Sequence, residues 1–178
     1  MASTERKNPI RLTAMKRFLV VANQTAGAPA LMTSIKQRLA GGPASFHVVV
    51  PATGVRDLVR LAALGCDPLS GYNVSVADVA GGNEQAIAHA QAQLDAQLAE
   101  LRALGADASG EVGDPDPLTA IADALKDRKV DEILLSTLPA GVSRWLSMDL
   151  PHRAGRKFGV PLAVVECSPV KEKEEVVS

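Results

Sequence analysis

Aromatic side chains are nearly missing from this sequence: three Phe, one Trp and one Tyr in 178 residues. A core must therefore be assembled from Ala, Val, Leu and Ile. Cysteine is as scarce. Cys66 and Cys167 stand far apart with no Cys-x-x-Cys pair, which excludes a disulfide scaffold and a Cys-rich metal knuckle. They read as small apolar fillers. His47, His89 and His152 fall in separate segments without metal-ligand spacing, so no metal is expected. His47, inside a strand-like run, reads as structural, and His89 as an exposed helix residue.

No apolar run approaches the roughly eighteen residues of a membrane span. The polar residues 1–10 lack the apolar centre of a signal peptide. A cytoplasmic protein without membrane partners is the expectation. Neither sign of charge dominates, with 19 Lys and Arg against 20 Asp and Glu, so no basic face invites nucleic acid.

What is present is an ordinary globular balance, 47% hydrophobic and 22% charged, which argues for a packed domain rather than a disordered chain. Residues 17–22 form a nearly continuous apolar run of the kind found inside parallel sheets. A helix is expected from Pro29, with Leu31, Ile35 and Leu39 at four-residue spacing and Gly41-Gly42-Pro43 as its stop. Residues 46–50 make a second buried strand. Within 52–80, residues 55–62 suggest a short helix and 67–71 a loop. A long helix over 83–104 places Ile87, Ala90, Leu94, Leu98 and Leu101 on one face, with Gly105 as its C-terminal cap.

A weaker third strand falls at 108–112. Asp116 then caps a helix with Pro117 in its first turn and Leu118, Ile121, Ala122 and Leu125 facing inward. Strands at 130–135 and 160–165 complete the set, the second preceded by a helix that Gly159 closes. Strands alternating with helices imply right-handed crossovers, hence one doubly wound α/β domain over 17–167. Residues 1–16 read as a loose leader and 168–178 as a charged, solvated tail.

The segment Gly113-Asp-Pro-Asp-Pro-Leu-Thr-Ala-Ile-Ala-Asp-Ala-Leu125, followed by Val130-Asp-Glu-Ile-Leu-Leu-Ser136, resembles the universal stress protein family, whose members carry Gly-Asp-Pro, a helix, and an apolar fourth strand. The similarity can be followed from Arg17 to Val165. Ser143-Arg144-Trp145-Leu146 and Asp149-Leu150-Pro151 resemble an actinobacterial branch of it. The resemblance implies a five-stranded Rossmann-like, adenine-nucleotide-hydrolase-like sheet in the order 3-2-1-4-5. Ligands of such sheets lie beyond the carboxyl ends of the strands at the switch point, here between strands 1 and 4. Asn23, Gln24 and Thr25 after strand 1, Pro51 after strand 2, and Ser136 and Thr137 after strand 4 are then candidate ligand contacts.

ATP-binding members of the family carry Gly-x-x-Gly, nine residues, then Gly and Ser or Thr after strand 4. On this chain the pattern falls on Ser136, Pro139, Asp149 and Leu150. Pro139 has no N–H to offer a phosphate, and the Asp149 carboxylate repels one. Against these losses stand Gly141, Ser143, Arg144, His152 and Arg153, of which an Arg could clamp an anion in bidentate fashion. Two readings stay open. Either this is the remodelled wall of a ligand site, or Asp149 caps the last helix while the arginines are solvated or paired with acids. Trp145 either stacks on a base or anchors the loop on the core; a lone Trp is more often an anchor.

These observations lead to the expectation of a non-catalytic regulatory or ligand-sensing domain with a degenerate nucleotide site. Its cofactor is ATP or AMP, if any. The runner-up is an ATP- or AMP-binding enzyme using Arg144 and Arg153 in place of the glycines. No P-loop and no Gly-x-Gly-x-x-Gly after strand 1 supports the runner-up. No Ser-His-Asp or Cys-His set stands out either, although a set assembled only in space is invisible here. A phospho-receiver is set aside because Asn23-Gln24 replaces the acidic pair it needs. The resemblance also implies a homodimer through strand 5, with Val160, Leu162 and Val164 on its apolar edge.

Overall fold

A computed structural model describes residues 14–23, 25–52, 82–139, 143–147 and 149–167. In chain order the elements are β1 (Lys16–Val21), α1 (Pro29–Ala40), β2 (Ala44–Pro51), α2 (Gly82–Ala103), β3 (Asp107–Gly113), α3 (Pro117–Lys126), β4 (Glu132–Thr137), α4 (Arg144–Ser147), α5 (Leu150–Phe158) and β5 (Leu162–Glu166). The strands form one parallel sheet in the order β3-β2-β1-β4-β5. This is the doubly wound α/β arrangement expected from the alternation of elements. The helix and loop expected within 52–80, most of the leader, the charged tail and Cys66 lie outside the described residues.

Side chains alternate across the sheet, so each central strand feeds two cores. Phe18, Val20, Phe46, Val48 and Val50 pack with Leu31, Ile35, Leu94 and Leu101 on the α1 and α2 side. Leu19, Val21, Val49, Ile133 and Leu135 pack with Leu118, Ile121, Trp145 and Leu150 on the other. With so few aromatics, Phe18 and Phe46 stack as neighbours across β1 and β2, with ring centroids 5.1 Å apart.

Several boundaries and faces differ from the sequence reading. β4 starts two residues later than expected because Asp131 is occupied as a clasp. Its N–H donates to the Arg17 carbonyl at 2.8 Å, and its carboxylate accepts from the Arg17 N–H at 2.8 Å. β4 instead runs on through Ser136 and Thr137, paired with Val165 and Glu166 of β5. Ile87 is 45% exposed, not buried. Ala90, Leu94, Leu98 and Leu101 face inward on α2 as expected, and the buried stripe widens to take in Ala86, Gln93 and Gln97. On α3 it is Ala120 and Ala124, rather than Ala122, that are fully buried. Its cap is as expected, with Asp116 accepting from the Thr119 N–H at 3.0 Å.

Candidate functional site

The sheet reverses its winding between β1 and β4, so the crevice to consider lies beyond their carboxyl ends. Thr25 comes from the loop after β1, Ser136 and Thr137 from the last turn of β4, and Ser143 from the connection ahead of α4. All four are polar, yet they are only 4%, 1%, 3% and 5% exposed. A buried hydroxyl needs a partner, and here the partners are one another. The Ser136 hydroxyl donates to Thr25 Oγ1 at 2.8 Å and lies 3.3 Å from Cys167 Sγ. The Thr137 and Ser143 hydroxyls bond directly. Ser143 Oγ also accepts from the Leu146 N–H at 3.2 Å, which caps the short helix α4.

The loop after β1 is closed in a similar way. Ala26 and Ala28 donate to the carbonyls of Asn23 and Thr25, turning the chain tightly into α1. Gly27 takes φ 76°, which glycine adopts without a Cβ penalty. Its N–H donates to Oε1 of the fully buried Gln97. A Cβ there would sit 3.4 Å from the Glu100 carboxylate. An N–H just ahead of α1, which in an open loop would be free for a phosphate, is therefore taken by a side chain of α2. Gln93 lies one turn nearer the start of α2 on the same face. It is 4% exposed and its Oε1 finds no hydrogen-bond partner among the described residues.

The structure thus joins Thr25 with Ser136 and Thr137 with Ser143, two buried hydroxyl pairs on opposite faces of the end of β4. Pro51 ends β2 and is buried. Gln24, Gly141 and the Arg144 side chain lie outside the described residues. Arg153 is exposed on α5, and among the described residues nothing ties it to either hydroxyl pair. Trp145 is 8% exposed and packs with Leu135, Leu150 and Ala154, as the anchor reading expected. Asp149 does stand at the N-cap position of α5, with Pro151 in the first turn, but its carboxylate caps no N–H. Its φ of 55° is left-handed, a region Asp tolerates, and this turns the carboxylate to His152 Nδ1 at 2.5 Å.

Gln93, Gln97 and Cys167 were missed from sequence. The signal for the glutamines was their four-residue spacing, beside Leu94 and Leu98 on the inward side of a long helix. His89 is half-buried rather than exposed, and burial pushes its imidazole pKa down. His47 is buried in β2 with partners for both ring nitrogens. Burial is the main cause that lowers its pKa.

Among the described residues no group of three or more His, Cys, Asp or Glu could hold a metal ion. Among them, too, no helix is long and apolar enough to cross a membrane. No family model and no curated protein matches the sequence. Of solved structures, a universal stress protein from Archaeoglobus fulgidus superposes with a TM-score of 0.51 at 13% identity, over 85% of this chain and 93% of that one. That likeness establishes a shared fold and strand order.

Proposed function

We propose that this chain is a regulatory or ligand-sensing domain of the universal stress protein type, cytoplasmic and dimeric, whose switch-point crevice does not turn over a substrate and has given up the triphosphate. One observation carries the reading. The hydroxyls at the carboxyl ends of β1 and β4, where phosphate contacts would be sought, are at most 5% exposed and spent on each other. The N–H of Gly27 is spent on Gln97 in the same way. A triphosphate entering this crevice would have to break these bonds and meet Pro139, which lacks an N–H, and the Asp149 carboxylate. The occupant favoured is smaller or less charged than ATP.

The test is calorimetric titration with ATP and with AMP, alongside mass spectrometry of small molecules released on denaturing freshly purified protein. No ATP binding at millimolar concentration is the expected result. Micromolar ATP binding, weakened tenfold or more by Arg144→Ala or Arg153→Ala, would sink the reading in favour of a nucleotide-binding enzyme.

For the dimer, support comes from β5, which ends the strand order and among the described residues pairs with β4 alone. Val164 is 39% exposed there and Leu162 half-buried, while Val160 lies two residues ahead of β5 rather than on its edge, because the strand starts at Leu162. An unpaired apolar edge favours a second strand. Val164→Lys should convert a dimer to a monomer in sedimentation velocity; a wild-type chain that is already monomeric at high concentration removes this part of the proposal.

A further inference from the structure

We propose that Ser109, His47 and Glu111 form a second site, on the amino-terminal half of the sheet, that hydrolyses small carboxylic esters through an acyl-serine intermediate. The proposal does not depend on what the switch-point crevice binds. β2 and β3 pair in parallel with His47 directly opposite Ser109. Glu111, two residues beyond Ser109, points to the same face. His47 Nδ1 lies 2.9 Å from Ser109 Oγ, and His47 Nε2 lies 3.1 Å from Glu111 Oε1. A carboxylate only accepts hydrogen bonds, so Glu111 fixes the ring proton on Nε2 and leaves the Nδ1 lone pair facing the serine O–H. This is the nucleophile, base and orienting carboxylate of serine hydrolysis, with the two ring nitrogens exchanged relative to the familiar triad.

Burial supports those roles. The His47 side chain is 7% exposed, and Arg128 Nη1 at 3.3 Å from Glu111 Oε1 helps hold the orienting carboxylate in place. Burial, reinforced by the Arg128 charge and opposed by Glu111, keeps the imidazole pKa below its ordinary value, so the ring is neutral and able to accept a proton at pH 7. A hydrogen-bonded histidine in a sheet is commonly structural. Here, however, His47 and Ser109 line a cavity of about 250 Å³, room for a short acyl group. Arg17, Arg128 and Lys129 share that lining with the carboxylates of Asp107 and Asp127, and with Glu111 counted the charges of the site balance. With Arg128 engaged by Glu111, Arg17 and Lys129 are the cations available to a developing oxyanion.

The chemistry balances with water as the only co-reactant. Ser109 Oγ adds to the ester carbonyl carbon as its proton passes to His47 Nδ1. Collapse breaks the acyl C–O bond, the proton leaves with the alcohol, and the acyl group stays on Ser109. Water, deprotonated by the same nitrogen, then releases the carboxylic acid and restores the serine.

The test uses the full chain, a fluorophosphonate probe with peptide mass spectrometry, and p-nitrophenyl acetate under burst conditions. Phosphonylation of Ser109 and a burst approaching one nitrophenolate per chain are expected. Ser109→Ala should abolish both, and Glu111→Gln should slow acylation about tenfold; both changes are at exposed positions of β3. His47→Gln should slow acylation about 10²-fold or more, the usual loss of a general base. An unlabelled Ser109 in folded protein overturns the proposal, as does hydrolysis undiminished in Ser109→Ala. Should the buried His47 variant fail to fold, labelling and burst in the Glu111 variant still decide: rates equal to wild type would refute the orienting role.

Discussion

If the hydroxyls of the crevice serve each other rather than a ligand, Ser143→Ala should be costly far beyond one surface serine. The change removes the partner of the Thr137 hydroxyl, which is 3% exposed and bonds no other group among the described residues. Leaving a buried hydroxyl unpaired costs about 1–3 kcal/mol. It also removes the acceptor for the Leu146 N–H at the start of α4, a cap worth about 1 kcal/mol. Together these predict a loss of about 2–4 kcal/mol, or roughly 5–15 °C in Tm for a domain of this size. Thr137→Val alone removes a hydroxyl but leaves Ser143 bonded to Leu146, so it should cost about 1 kcal/mol. In the double variant no orphan hydroxyl remains at Thr137. The sum of the single losses should therefore exceed the double by about 1–2 kcal/mol in urea melts. Strict additivity, or a Ser143→Ala loss below about 0.5 kcal/mol, would mean that water satisfies these groups and the crevice stands open. The reading of hydroxyls spent in pairs would then fail.

Gly110→Ala should destabilise by about 1–3 kcal/mol, because its Cβ would lie 2.6 Å from the Val48 carbonyl oxygen and 2.6 Å from Leu94 Cδ1; urea denaturation that shows no loss would refute this close approach of α2 to β3. Asp116→Ala should cost about 1 kcal/mol through the lost bond to the Thr119 N–H, and Asp116→Asn should recover most of it. For pH, His47 and His89 both bind protons more weakly folded than unfolded. Below about pH 6.5 the unfolded chain therefore holds more protons, so their contribution is complete above that pH and is lost as pH falls toward the folded values. Each histidine adds a slope of at most about 1.4 kcal/mol per pH unit. Urea melts between pH 7.5 and 5.5 should show a decline that is smaller in His47→Gln/His89→Gln; equal slopes in the two proteins would contradict it.

The fold was legible where a segment's own residues decide its structure. β1 and β2 are apolar on both faces, and Asp116-Pro117 announces α3 as cap and first turn. Legibility failed where a partner distant in sequence decides. The start of β4 depends on Asp131 clasping Arg17, 114 residues away. The burial of Gln97 on α2 depends on its reaching Gly27 across 70 residues, which no periodicity of apolar residues would show. The place of the candidate crevice followed from topology, but its closure did not. Hydroxyls that bond each other and hydroxyls that bond a ligand are the same letters in sequence. The pairing of His47 with Ser109, 62 residues apart, was invisible for the same reason and needed the β2–β3 register to appear.

The two ends of this sheet pose opposite problems for a polar side chain. β1 and β4 are central strands with packed cores on both faces, so a hydroxyl at their ends is buried and must find a protein partner. Thr25, Ser136, Thr137 and Ser143 meet that demand by closing on one another. β3 is an edge: Ala108, Gly110 and Val112 turn to the core under α2, while Asp107, Ser109 and Glu111 are exposed on the other face. Its alternation of small apolar and polar residues made it the weakest strand to read from sequence. That same alternation places a serine and a carboxylate, with solvent access, on either side of a buried histidine's reach. Where the described hydroxyls at the switch point are spent on each other, reactive groups with room beside them are to be sought where a strand has only one neighbour, and His47 is the residue on which β2 and β3 meet that condition.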